Sequence, residues 1–155
     1  MNIALFASGT GSNVYNIIQH FKSNDFINVV AVLSNKTDAG ALNHAKNAGI
    51  QSLTFSKKEF TSAITVEEHP ALVPHFGGKG MYGLNVHNAV ISSTEQKSGV
   101  TIHFVNEKYD DGATIAQFEC DLNEHDTPQS LAQKVRVLEK AHFPKTIEEY
   151  ILKIK

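Results

Sequence analysis

Residues Ile3–Phe21 read "IALFASGTGSNVYNIIQHF". The apolar run Ile3–Ala7 stops abruptly at "SGTGSN", after which Val14, Ile17, Ile18 and Phe21 recur at the spacing of one helical face. A buried strand, a glycine turn and a one-faced helix, in that order, open a β–α–β unit. "NVVAVLSN" (Asn28–Asn35) supplies the second strand, apolar and β-branched. "AGALNHAKNAGI" (Ala39–Ile50) reads as a helix that stops at Gly49, and "QSLTF" (Gln51–Phe55) as a third strand. Strands this uniformly apolar, alternating with helices, are buried on both faces. The fold class expected is therefore α/β, a doubly wound and mostly parallel sheet.

The second half is organised differently. "EHPALVPHFGGKGMYG" (Glu68–Gly83) has no hydrophobic period, and "LNVHNAVISS" (Leu84–Ser93) looks helical. "GVTIHFVN" (Gly99–Asn106) and "TIAQFECDL" (Thr114–Leu122) flank "YDDGA" and suggest a C-terminal hairpin. "TPQSLAQKVRVLEKAHF" (Thr127–Phe143) begins with a capping Thr127 and with Pro128 at the first helical position. Pro144 is expected to end that helix, with "KTIEEYILKIK" forming another. No repeat or linker interrupts residues 1–155, which read as a single domain.

Composition narrows the function. At 155 residues, 41% hydrophobic and with a net charge of −2, the chain can bury a core and has no electrostatic bias towards nucleic acid or an acidic membrane. Its one cysteine, Cys120, cannot form an internal disulfide and suits a reducing compartment. The N-terminus lacks the basic segment of a signal peptide, and no run is long enough to span a bilayer. A cytoplasmic protein with small-molecule partners is expected.

Three stretches can carry chemistry. "SGTGSN" (Ser8–Asn13) joins a strand to a helix N-terminus, where backbone N–H groups attract anions. It lacks the spacing of a dinucleotide loop and the lysine of a P-loop, so it suits a monophosphate; the plainer alternative is a tight turn capped by Ser12 or Asn13. His69, held off helical backbone by Pro70, has a side chain that titrates near neutrality, although a lone histidine is more often structural. Asp110 and Asp111 precede Gly112, as in many turns. An Asp110–His69 pair would form only if the hairpin folded towards His69. None of the eight histidines stands at a zinc-ligand spacing from Cys120, so no metal is expected.

Together, "FASGTGSN", "SNKTDAGALNHAKNAGI", "HPALVPHFGGKGMYG", "SGVTIHFVNEKYDDGATIAQFECDL" and "DTPQSLAQKVRVLEKAHFP" resemble the glycinamide ribonucleotide (phosphoribosylglycinamide) formyltransferases, which have a Rossmann-like fold. "FGGKGMYG" favours these over the related methionyl-tRNA formyltransferases and formyltetrahydrofolate deformylases. The resemblance implies formyl transfer from 10-formyltetrahydrofolate, a folate co-substrate, to the amine of phosphoribosylglycinamide in de novo purine synthesis, without a metal. By the same resemblance, Gly11, Ser12 and Asn13 hold the substrate phosphate and Glu139 the ribose or amine side. His69 is the acid–base group, Asp110 supports it, and Val105, Asn106, Glu107, Lys108, Tyr109 and Asp110 line the folate pocket. A monomer or homodimer fits.

The chain departs from that pattern in two places. Glu67 stands where the family has the asparagine of Asn-x-His-Pro, a residue that assists the oxyanion. In addition, the interval between Ser56 and His69 is too short for the βαβ unit, roughly 30 residues or more, that the family places there. The stretch "FTSAITVEE" (Phe60–Glu68) looks truncated. The alternative function is therefore a non-catalytic α/β domain that binds a phosphorylated metabolite.

Overall fold

A computed structural model describes residues 1–55, 66–106 and 108–154. The chain divides into two compact units, Met1–Ala63 and Ile64–Lys155, where the sequence suggested a single domain.

The first unit runs β1 (Asn2–Phe6), α1 (Ser12–Phe21), β2 (Asn28–Ser34), α2 (Gly40–Asn47) and β3 (Gln51–Thr54). Its sheet has the order β1–β2–β3 and is parallel throughout, with Leu5 beside Val32 and Leu33 beside Leu53. α1 buries Val14, Ile17, Ile18 and Phe21, the four residues picked out by the helical spacing. They join Leu5, Ile27, Val32, Ala41, Leu42 and Ala45 among the buried apolar residues of this unit. α2 stops where glycine permits it. Gly49 takes φ 71°, its N–H reaches the Lys46 carbonyl, and the Ile50 N–H closes on Ala45.

The second unit runs β4 (Val66–His69), α3 (Leu84–Ile91), β5 (Lys97–Phe104), β6 (Thr114–Asp121) and α4 (Pro128–Lys153). Its sheet, β4–β5–β6, is antiparallel, and β5 and β6 form the expected hairpin. β5 is the central strand and is buried from Ser98 to Ile102 and on to His103. Ala71, Val86, Val90, Val100, Leu131 and Val135 make the core, filled out by Phe118, Leu138 and the half-buried Cys120. Burial pushes the Cys120 thiol pKa up, in keeping with a packing role.

Two features differ from the sequence reading. β4 includes Glu67 and Glu68, charged residues that conceal a strand whose extended form comes from pairing with β5. Pro144 does not end the last helix: α4 is a single helix of 26 residues with Pro144 buried inside it. A proline there forfeits one backbone hydrogen bond. Core contacts on both sides of it, through Leu131 and Val135 before and Thr146 and Ile151 after, keep the helix continuous. Its start is as expected. The Thr127 hydroxyl accepts from the Ser130 N–H, and the Ser130 hydroxyl accepts from the Thr127 N–H. Of the stretch that looked truncated, residues 60–65 lie outside the described residues.

Candidate active site

In the first unit, the strand-to-helix turn is shaped by close approach. Gly11 takes φ 81°, and a Cβ there would sit 2.4 Å from the Ala41 Cα. A Cβ on Gly40 would sit 2.6 Å from the Thr10 carbonyl oxygen. The two glycines thus bring the turn against the start of α2. Neither Ser12 nor Asn13 caps α1, whose N-cap Gly11 receives no side-chain hydrogen bond. The capped-turn alternative is therefore not realised. Gly11, Ser12 and Asn13 stand together at an α1 N-terminus with no side-chain capping hydrogen bond among the described residues.

In the second unit, His69 ends β4 with only 4% of its surface exposed. Its Nε2–H donates to the Phe76 carbonyl at 2.8 Å, and its Nδ1 lies 3.3 Å from Asp110 Oδ1. The other oxygen of Asp110 accepts from the Gly78 N–H at 2.7 Å. The hairpin does fold towards His69, which is the condition the pair required. Glycines permit it. A Cβ on Gly77 would lie 2.9 Å from the Asp110 Cβ, and one on Gly112 would lie 1.5 Å from the Phe104 carbonyl oxygen. Asp110 itself takes φ 53°, a conformation that aspartate tolerates better than most residues. The irregular Gly/Pro segment of the sequence is the loop that wraps this carboxylate.

Two further residues complete the cluster. His103, on β5, donates from Nδ1 to the Phe104 carbonyl at 2.9 Å, and its Nε2 lies 3.8 Å from Asp110 Oδ1. That Nε2 is buried with no hydrogen-bond partner among the described residues. Glu67 pairs with His103 across the β4–β5 ladder. One carboxylate oxygen of Glu67, one ring nitrogen of His103 and one carboxylate oxygen of Asp110 lie within 4.8 Å of one another. Poor solvation pushes the Glu67 pKa up; positive charge on His103 opposes this, the Asp110 carboxylate adds to it, and charge on His69 opposes it again. His103 escaped the sequence reading. Its signal was a polar side chain inside an otherwise apolar buried strand.

The remaining expected residues are more dispersed. Val105, Asn106, Lys108 and Tyr109 are exposed, Asn106 Oδ1 accepts from the Lys108 N–H, and Lys108 lies 3.7 Å from Asp111. Glu107 lies outside the described residues. Glu139 is half-buried on α4. No helix among the described residues is long and apolar enough to cross a membrane.

The family model described as "Formyl transferase" matches residues 1–68 and 64–147 of this chain. The chloroplastic phosphoribosylglycinamide formyltransferase of Arabidopsis thaliana is 35% identical over 181 residues, covering 90% of this chain and 61% of that protein. The phosphoribosylglycinamide formyltransferase of Escherichia coli is 28% identical, covering 95% of this chain and 85% of that protein. The crystal structure of the phosphoribosylglycinamide formyltransferase of Bacillus halodurans superposes with a TM-score of 0.84 at 25% identity, over 100% of this chain and 97% of that one. The chain spans somewhat less than two thirds of the plant relatives' length. The plant alignment runs over 181 positions, more than the 155 residues of this chain, so that relative carries residues with no counterpart here. The two matched segments of the family model meet at residues 64–68, directly before His69, where the sequence had looked short. With its parallel β–α–β half, its uncapped α1 turn and a buried His69–Asp110 pair, the chain belongs to the formyl transferase family.

Proposed function

We propose that this protein transfers the formyl group of 10-formyltetrahydrofolate to the amine of phosphoribosylglycinamide, a step of purine biosynthesis. The observation that carries the reading is the buried imidazole of His69 beside the Asp110 carboxylate, 3.3 Å apart. The amine nitrogen attacks the formyl carbon, the carbonyl electron pair moves to oxygen, and collapse breaks the bond to the folate N10. A proton leaves the amine and ends on N10. His69 carries that proton once its Nε2 exchanges the Phe76 carbonyl for substrate, and apo hydrogen bonds commonly rearrange in this way on binding. Asp110, 3.3 Å from Nδ1, holds the ring in place.

On the same reading, Gly11, Ser12 and Asn13 take the phosphate with backbone N–H groups, Glu139 meets the ribose or amine side, and Val105–Asp110 face the folate. No metal takes part. Residues 1–155 then act as one functional domain in the cytoplasm, as a monomer or homodimer. The test is product formation from phosphoribosylglycinamide and 10-formyltetrahydrofolate by the purified chain and by His69→Ala. Equal rates in the two would remove the assignment.

The short interval before His69 favours one other reading, a domain that binds the phosphorylated metabolite without transfer. It requires calorimetric binding of phosphoribosylglycinamide, no binding of a folate analogue, and no product.

A further inference from the structure

His103 raises a problem of proton inventory. Its Nδ1 must carry hydrogen, because its hydrogen-bond partner among the described residues is the Phe104 carbonyl, an acceptor. In a neutral ring Nε2 would then be a bare lone pair, buried without a donor. The polar atoms around it are carboxylate oxygens, one from Asp110 at 3.8 Å and one from Glu67 within the 4.8 Å cluster. Three acceptors facing one another around the buried His103 ring repel. One proton relieves all of them.

Among the described residues, three elements bring titratable groups to this point. β4 contributes Glu67 and His69, β5 contributes His103, and the hairpin tip contributes Asp110. Asp110 is already engaged by His69 and by the Gly78 N–H. Glu67 is not so held. It is the directly opposed partner of His103 in the ladder, and its exposed side chain can change rotamer to close the remaining gap.

We propose that Glu67 and His103 form a proton-sharing pair, with a single proton held between the Glu67 carboxyl and the His103 Nε2 at neutral pH. The proton belongs to the pair rather than to either residue, as in other closely coupled sites. The consequence is electrostatic. While the pair keeps its proton it is neutral overall, and Asp110 is the single uncompensated negative charge beside His69. When the proton leaves at higher pH, a second negative charge appears next to Asp110. Glu67 is thus a positioning residue that acts on His69 through His103 and Asp110. The raised Glu67 pKa accords with this. Its catalytic consequence rests on the formyl-transfer reading, whereas the pair itself does not.

The experiment is a pH titration of the whole 15N-histidine-labelled chain by NMR, compared with Glu67→Gln. In the unsubstituted chain the His103 Nε2 signal should remain that of a protonated or hydrogen-bonded nitrogen at pH 7. In Glu67→Gln its midpoint should fall by about one pH unit or more, the effect of losing a close opposite charge. A bare Nε2 at pH 7 in the unsubstituted chain, or equal midpoints in both chains, would overturn the pair. Tight calorimetric binding of Zn²⁺ that is lost in Glu67→Gln would overturn it too, since a ligand carboxylate and imidazole have given up the proton. The kcat profile gives the second readout: its alkaline limb should move to lower pH in Glu67→Gln. If the chain makes no product at any pH, the formyl-transfer reading falls while the NMR result still decides the pair. If product forms but the limb stays in place, the positioning role falls alone.

Discussion

Asp110 reaches His69 through one oxygen, 3.3 Å from Nδ1, while its other oxygen is fixed by the Gly78 N–H at 2.7 Å. One carboxylate therefore ties the end of β4, the glycine loop and the hairpin tip together, and it does so from a left-handed backbone at the tip. The pair can be tested residue by residue. His69→Ala and Asp110→Asn should each lower kcat by about 10²–10⁴-fold, the usual contribution of a positioned acid–base group. Phosphoribosylglycinamide affinity, read by calorimetry, should stay within a few-fold. A parallel loss of binding would mean that these residues hold substrate rather than move its proton.

The hairpin tip depends on Gly112. With a Cβ only 1.5 Å from the Phe104 carbonyl oxygen, Gly112→Ala must displace backbone. We expect a loss of about 2 kcal/mol or more in urea unfolding, together with loss of activity as Asp110 moves. Gly9→Ala is the stability control, because nothing lies within 4 Å of its Cβ position. Equal midpoints for the two variants would contradict the close approach.

Asp126 anchors the start of α4. A hydrogen bond from Lys134 lowers its pKa most, followed by the Asn123 N–H and the Ser130 hydroxyl, bringing it to about 2. A depressed folded-state pKa contributes stability above the unfolded value, and that stability is lost as pH falls through the folded one. Asp126→Asn should therefore melt lower than the parent at pH 7, and the gap should close between about pH 4 and pH 2. Thermal melts at a series of pH values measure this. A gap independent of pH would assign the effect to lost packing instead.

The core of the second unit rests on α4. Leu131 is fully buried against Val86, Val90 and Val100. Leu131→Ala should cost about 2–5 kcal/mol in denaturant unfolding, while Val137→Ala, at a position 66% exposed, should cost well under 1 kcal/mol. Similar costs at both sites would mean that α4 packs through another face.

Much of the local structure was legible in the sequence because local chemistry decides it. The face of α1 follows from the spacing of Val14, Ile17, Ile18 and Phe21, the stop of α2 from Gly49, and the start of α4 from Thr127 and Pro128. The β5–β6 hairpin followed from its turn residues, and family resemblance singled out His69 and Asp110. Each of these rests on residues a few positions apart, where periodicity and turn chemistry act directly.

Only the tertiary structure could decide the rest. Whether the tip aspartate meets His69 depends on how β4, the glycine loop and the hairpin close on one another, a relation between residues distant in sequence. The continuity of α4 through Pro144 was settled by core contacts that outweigh one lost hydrogen bond. Glu67 and His103 became partners through strand register, which is fixed by pairing and leaves no trace in the spacing of either residue. The sequence by itself determined the buried face of α1, the stop of α2, the start of α4 and the β5–β6 hairpin, and it pointed to His69 and Asp110. The packing of β4 against β5 decided that Glu67 and His103 stand opposite one another beside Asp110, because strand register brings together polar atoms whose spacing in the sequence leaves them unrelated.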